Sequence, residues 1–167
     1  MTSRREELLG EALAKDRTGS SVPDDLLSHG MLDDDLGFHC RLAQLHFFSS
    51  FFDDLGGFGV TPAELSALMT IAENPGVRQG VLAEALMIKR SAMTKLMRGL
   101  EDGGLISRVS PRSDLRSVEL TLTPAGQDLV ARARPLMEGQ NERATPMLSR
   151  GERQLLMALL NKIAGRN

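Results

Sequence analysis

The sequence contains neither tryptophan nor tyrosine and has a single cysteine, Cys40. One thiol excludes an intramolecular disulfide framework and any paired-cysteine metal or redox motif. No apolar run approaches the roughly 18–20 residues that a membrane-spanning helix requires, and the N-terminal residues lack the apolar segment of a signal peptide. We therefore expect a cytoplasmic protein with no membrane partner.

Signatures of catalysis are also absent. There is no nucleophile motif, no phosphate-binding loop and no carboxylate pair in a context that would form a cleft. An enzyme is therefore the least favoured class, and we predict neither a bound cofactor nor a metal site. With 167 residues, 41% hydrophobic content and a net charge of −2, the chain suits one domain with an appended helical part.

Positive charge is concentrated in one segment of the chain. Residues 1–60 contain eleven acidic and five basic side chains, whereas residues 89–116 contain seven basic and three acidic ones. The seven cations are Lys89, Arg90, Lys95, Arg98, Arg108, Arg112 and Arg116. Such a field favours contact with phosphates through counterion release, even on a slightly acidic protein.

The pattern divides the chain into four parts. Residues 1–30 form an accessory segment, 31–60 a long helix that holds or directly precedes all six phenylalanines, 61–123 a compact unit, and 124–167 further helices. The terminal helices carry wide apolar stripes and have too little of their own chain to pack against. We therefore expect residues 31–60 and 124–167 to form the dimerisation part of a homodimer.

Local signals indicate where the shorter elements begin and end. Capping boxes at residues 61–64 and 149–152 begin two helices, and Pro135 should kink or break the helix before it. The elements expected within the compact unit are helices at 79–86 and 90–101 and strands at 105–109 and 118–122. Two helices, a turn and a pair of strands in this order indicate a winged helix-turn-helix.

The second of these short helices has two faces of opposite character. The residues that must face inward are Met93, Leu96, Met97 and Leu100. The outer face holds Arg90, Ser91, Thr94, Lys95 and Arg98, with Lys89 just before it. Arginine and lysine can reach guanine or phosphate in the major groove, while serine and threonine can contact bases or backbone. The alternative is an ordinary solvated helix face.

The loop between the strands carries Arg112, Asp114 and Arg116 within five residues. An arginine can enter the narrow minor groove if an acidic neighbour directs its side chain, and Asp114 is placed to do this for Arg116. The alternative is a surface ion pair in a mobile hairpin, which would contribute little to stability.

Together these features resemble the MarR family of bacterial winged-helix transcriptional regulators. The spacing of the helix-turn-helix, Asp114-x-Arg116 and the run Leu122-Thr123-Pro124-Ala125-Gly126 carry the resemblance, which extends from about Asp35 to Ile163. It implies a mainly helical homodimer, joined through its terminal helices, that represses transcription at a pseudo-palindromic operator until a small molecule releases it. It also implies that the outer face of the second helix enters the major groove and Arg116 the minor groove.

The first long helix contains the only cysteine that could act as a redox sensor. Members of the family that sense organic hydroperoxides carry a reactive cysteine in a Leu-Cys-Phe setting, which here reads Leu36-Gly37-Phe38. We therefore expect Cys40 to be a buried small hydrophobic residue rather than a sensor.

His39 and His46 lie about 10 Å apart along the helix, too far to coordinate one ion directly. They are either hydrogen-bonded within a subunit interface or, with Leu42, line a pocket for an effector. By the resemblance, that effector would be an aromatic acid or its thioester. The phenylalanines are better explained by packing than by ligand binding.

The favoured function is thus a ligand-responsive DNA-binding repressor that resides on the nucleoid when it is bound to DNA. The alternative is a winged-helix module that contacts only other proteins. Salt discriminates the two, because DNA binding falls steeply with ionic strength.

Overall fold

The structure is a computed structural model that describes residues 30–109 and 118–166. The described residues fall into two compact units that divide between Ser49 and Ser50. The prediction of a mainly helical winged helix-turn-helix is confirmed. The first 29 residues, for which we predicted an accessory segment, lie outside the described ranges.

The first described unit consists of a 3₁₀ turn, Gly30–Asp34, and the first fourteen residues of a helix, α1, which spans Leu36–Leu55. Asp35 caps α1, because its Oδ1 accepts a hydrogen bond from the Phe38 N–H at 2.6 Å. Cys40 is exposed, so our expectation that it is buried is wrong. Its position on α1 leaves it no apolar cover among the described residues.

Among the described residues, the second unit contains the end of α1, a 3₁₀ turn at Gly56–Phe58 and nine further helices and strands. They are α2 (Pro62–Glu73), β1 (Val77–Arg78), α3 (Gln79–Ala85), α4 (Arg90–Asp102), β2 (Ile106–Val109), β3 (Glu119–Leu122), α5 (Pro124–Glu138), α6 (Gln140–Ala144) and α7 (Arg150–Ile163). Both predicted capping boxes are confirmed, at Thr61 with Glu64 and at Ser149 with Glu152. Helix α5 continues through Pro135 to Glu138, so the helix does not break at this proline.

The three strands form one antiparallel sheet in the order β1-β3-β2. Ile106 pairs with Leu122 and Val109 with Glu119, which fixes the register of the hairpin that carries the loop. β1 was not expected, because two residues are too few for an alternating pattern. It pairs with β3 at Val77 and Leu120 and so ties α3 to the sheet.

The core of the second unit lies between these helices and the sheet. Its fully buried large side chains are Leu55, Leu65, Leu68, Ile71, Leu82, Met93, Met97, Leu100 and Leu120. Phe51 belongs to the same cluster, and the Phe58 ring lies 5.2 Å from the Arg132 guanidinium carbon. These two phenylalanines therefore pack within the protein, as the sequence predicts.

No described helix is by itself long and apolar enough to span a membrane. One bent pair, Leu36–Phe58 with Pro62–Glu73 at 67°, meets the requirement of length and composition only.

Candidate nucleic-acid interface

Helix α4 has the two faces that its sequence predicts. Met93, Met97 and Leu100 are buried in the core, and Leu96 is partly buried against it. The side chains on the opposite face are all exposed, namely Lys89, Arg90, Ser91, Thr94, Lys95 and Arg98. The core thus holds α4 by one face and leaves the basic face to solvent.

A tight turn joins α3 to α4. The Ile88 N–H bonds Ala83 O at 2.9 Å, and Met87 adopts a left-handed conformation with φ of 54°. Glycine or asparagine is usual at such a position, so the sequence gives no signal for it. Met87 is 72% exposed, so its side chain adds no packing energy that would offset the conformational cost.

The cations of α4 differ from Arg108 in their partners. Within the described ranges, no carboxylate forms an ion pair with Lys89, Arg90, Lys95 or Arg98. Arg108, by contrast, bonds Glu101 Oε2 through Nη1 at 3.2 Å, and its side chain is only 23% exposed. The cations of α4 are therefore available to an anionic partner, while Arg108 is used inside the protein.

A chain of hydrogen bonds links α4 to the wing strand and to α3. Arg108 Nη2 donates to Gln79 Oε1 at 3.2 Å, and Gln79 Nε2 donates to Thr94 Oγ1 at 3.3 Å. Since Glu101 and Thr94 both lie on α4, the chain closes into a ring that holds this helix at two points. We call these four residues, Gln79, Thr94, Glu101 and Arg108, the polar ring.

The polar ring was not foreseen from the sequence. Gln79 and Arg108 are 29 residues apart, and no local pattern indicates that their side chains meet. The ring borders a cleft of about 480 Å³, whose lining includes Arg78, Gln79, Arg90 and Thr94. The cleft therefore lies beside the exposed face of α4.

The wing itself is described only at its base. Arg116, the residue predicted to enter the minor groove, lies with Arg112 and Asp114 in 110–117, outside the described residues. β2 and β3 on either side are paired in register, with Val109 opposite Glu119. The hairpin that presents the loop is therefore present.

The predicted effector residues, His39, Leu42 and His46, lie at i, i+3 and i+7 on α1 and are exposed. Asp33 O accepts a hydrogen bond from His39 Nε2 at 2.7 Å. A neutral His39 ring then carries its proton on Nε2, which makes Nδ1 a hydrogen-bond acceptor. In the part of the chain that the structure covers, no three His, Cys, Asp or Glu side chains gather in a way that could hold a metal ion.

Known proteins with similar sequences are transcriptional regulators. A sequence model of the MarR family matches residues 58–117. A putative transcriptional regulatory protein for the hcr operon of Thauera aromatica is 36% identical over 138 residues, which cover 82% of this chain and 83% of that protein. The similarity therefore extends well beyond the helix-turn-helix.

Solved structures with the same fold include the transcriptional repressor CouR in two states. CouR bound to a 23-mer DNA duplex aligns with a TM-score of 0.76 and 35% identity, over 83% of this chain and 98% of that one. CouR bound to p-coumaroyl-CoA aligns with a TM-score of 0.74 and 34% identity, over 83% and 97% of the two chains.

Proposed function

Because the chain belongs to the MarR family of transcriptional regulators, we propose that it is a homodimeric repressor that binds a pseudo-palindromic operator and leaves it when a small effector binds. The observation that carries the DNA-binding part is the exposed face of α4, with cations that no described carboxylate neutralises. The DNA-bound structure of CouR supports the same reading.

In this proposal α4 enters the major groove. Arg90 and Arg98 reach guanine edges or phosphates, Lys95 contacts phosphate, and Ser91 and Thr94 lie against the bases. Lys89, at the N-terminal end of the helix, meets the backbone. Arg116 of the wing enters the adjacent minor groove, with Asp114 orienting its side chain, and Arg112 contacts the DNA beside it.

A salt series on charge variants tests this part. Lys95→Ala with Arg98→Ala should weaken binding and lower the slope of log affinity against log salt by about one unit for each phosphate contact removed. The matched control is Arg150→Ala with Lys162→Ala, which removes two exposed cations of α7 that form no ion pair among the described residues. An unchanged slope in the α4 variant would contradict the proposed role of these cations.

The dimer is proposed from the apolar surface of α7. None of its fourteen residues is buried, and the large exposed apolar side chains on it are Leu155, Leu156, Met157, Leu159, Leu160 and Ile163. Fully burying a leucine side chain contributes about 1.5–3 kcal/mol, so several of them can hold two copies together. A two-fold dimer presents two copies of α4 to half-sites one helical turn apart.

Sedimentation of the full chain tests the dimer. Leu159→Glu should give a monomer that binds DNA more weakly, because one half-site then binds without the other. Asn161→Glu places the same charge on the same helix without removing an apolar side chain, and should leave the dimer intact. A dimeric Leu159→Glu variant would contradict this interface.

The proposed effector is an aromatic acid or its thioester, supported by the binding of p-coumaroyl-CoA to CouR. His39 Nδ1 would accept a hydrogen bond from a phenol or an acid, with Leu42 and His46 beside it. The effector must bind the DNA-free form more tightly than the DNA-bound form, by the same factor by which it weakens operator binding.

Titration with p-coumaroyl-CoA tests the pocket. His39→Ala should weaken its binding and its release of DNA by the same factor, while Gln44→Ala, on the other side of α1, should change neither. Equal effects of the two variants on effector binding would contradict the assignment of His39 to the proposed site.

A further inference from the structure

Thr94 lies on the exposed face of α4, but its hydroxyl group is already engaged inside the protein. Oγ1 donates to Arg90 O at 2.9 Å and accepts a hydrogen bond from Gln79 Nε2 at 3.3 Å. A hydroxyl has one proton to donate, so Thr94 has no donor left for a phosphate oxygen or for the acceptor atoms of purines. What Thr94 can still offer DNA is the second acceptor lone pair of its oxygen and its γ-methyl group.

The polar ring keeps the hydroxyl in this position. The bond to Arg90 O fixes the rotamer of Thr94 against its own helix. Gln79, its other partner, is itself held by Arg108, and Arg108 by Glu101. Turning the hydroxyl toward DNA would therefore break two hydrogen bonds, one to Arg90 O and one to Gln79 of the polar ring.

Resting on the proposed DNA-binding function, we infer that Thr94 is a specificity-determining residue that recognises the 5-methyl group of a thymine by apolar contact. In the major groove, the methyl group distinguishes thymine from every other base, and a threonine methyl is a suitable partner for it. Gln79 and Arg108 act as positioning residues, which keep the Thr94 hydroxyl bonded within the protein and leave the methyl group for the base.

The test combines one protein change with one DNA change. Wild-type protein first selects its preferred sequence from random duplexes of about 30 base pairs, long enough for two half-sites one helical turn apart. Each thymine of the selected duplex is then replaced by deoxyuridine, which lacks only the methyl group. Thr94→Ser removes the γ-methyl and keeps the hydroxyl that bonds Arg90 and Gln79.

The matched control is Thr70→Ser on α2. Thr70 Oγ1 makes the same kind of bond, to Ser66 O at 2.8 Å, so this change has the same effect on helix and rotamer. Thr70 is not among the residues proposed to contact DNA, so this change should leave affinity for both duplexes as in the wild type.

At one thymine position in each half-site, replacement by deoxyuridine should weaken the binding of the wild-type protein about three- to tenfold. The Thr94→Ser protein should bind thymine DNA more weakly than the wild type by a similar factor. Deoxyuridine at that position should not weaken its binding further. If Thr94→Ser and wild type respond equally to deoxyuridine at every position, the inference is overturned while DNA binding stands. If the wild-type protein selects no sequence at all, the proposed function fails and this inference fails with it.

Discussion

Gly126 is the position where a single added methyl group should do most damage. It lies buried in the first turn of α5, where the helix passes over the start of the wing hairpin. A Cβ atom at this position would lie 2.1 Å from Leu105 O and 3.1 Å from its carbonyl carbon. Carbon and oxygen atoms normally stay about 3.3 Å or more apart, so α5 or the strand must move by about 1 Å.

That movement would disturb the hydrogen bonds between α5 and the hairpin. The Thr123 N–H bonds Leu105 O at 3.1 Å, and Thr123 Oγ1 donates to Gly104 O at 2.6 Å. Losing two such bonds costs about 2 kcal/mol. Overpacking of the site adds about 1–3 kcal/mol. Gly126→Ala should therefore lower the free energy of unfolding by about 3–5 kcal/mol, a large part of the total for a domain of this size.

Urea unfolding measures this difference. The protein concentration is held fixed because the stability of the proposed dimer would depend on it. The control is Gly99→Ala in the interior of α4, where the added Cβ meets only Glu64 Oε1 at 3.9 Å. This change should be neutral or stabilise by about 0.5–1 kcal/mol. A Gly126→Ala protein within about 1 kcal/mol of wild type would refute the reasoning.

Three further predictions follow from the polar ring and from the cap of α7. Arg108→Met removes the bonds to Glu101 and Gln79 and should weaken DNA binding about three- to tenfold. The slope of log affinity against log salt should not change, because no phosphate contact is lost. Fluorescence anisotropy across a salt series measures both quantities, and a reduced slope would count against the prediction. Ser149→Ala should lower the free energy of unfolding by about 0.5–2 kcal/mol, as measured in urea, through loss of the helix cap; an unchanged midpoint would contradict this. Hydrogen bonds from the Ser149 hydroxyl and backbone N–H hold the pKa of Glu152 below its ordinary value. The contribution of the ionised Glu152 carboxylate to stability is therefore present above the ordinary pKa of glutamate and is lost as the pH falls through the lowered value. Titration of its carboxyl carbon by NMR measures the pKa, and an ordinary or raised pKa would contradict this.

Much of the fold follows from local signals in the sequence. The orientation of α4 was predictable because Met93, Met97 and Leu100 recur at helical spacing, which decides the buried face. The starts of α2 and α7 were predictable because a capping box is a short pattern with a direct physical cause. These features depend on residues no more than about ten positions apart.

The rest depends on contacts between distant residues. The polar ring joins Gln79 and Arg108 through side chains that meet only after the sheet has formed. The strand β1 exists because β3 pairs with it, not because of its own two residues. Met87 adopts its left-handed conformation in the turn between α3 and α4, and a methionine in the sequence gives no indication of it. The exposure of Cys40 was missed for the same reason, since helical position alone does not say what covers a side chain.

The most direct test of the account is fluorescence anisotropy of the purified full chain on the duplex DNA that flanks its own gene. Scrambled DNA of equal length serves as the comparison, and both are titrated across a salt series. We expect tight binding that prefers the flanking DNA, with a logarithm of the affinity that falls steeply and linearly with the logarithm of the salt concentration. Absence of binding to either duplex at low salt would contradict it.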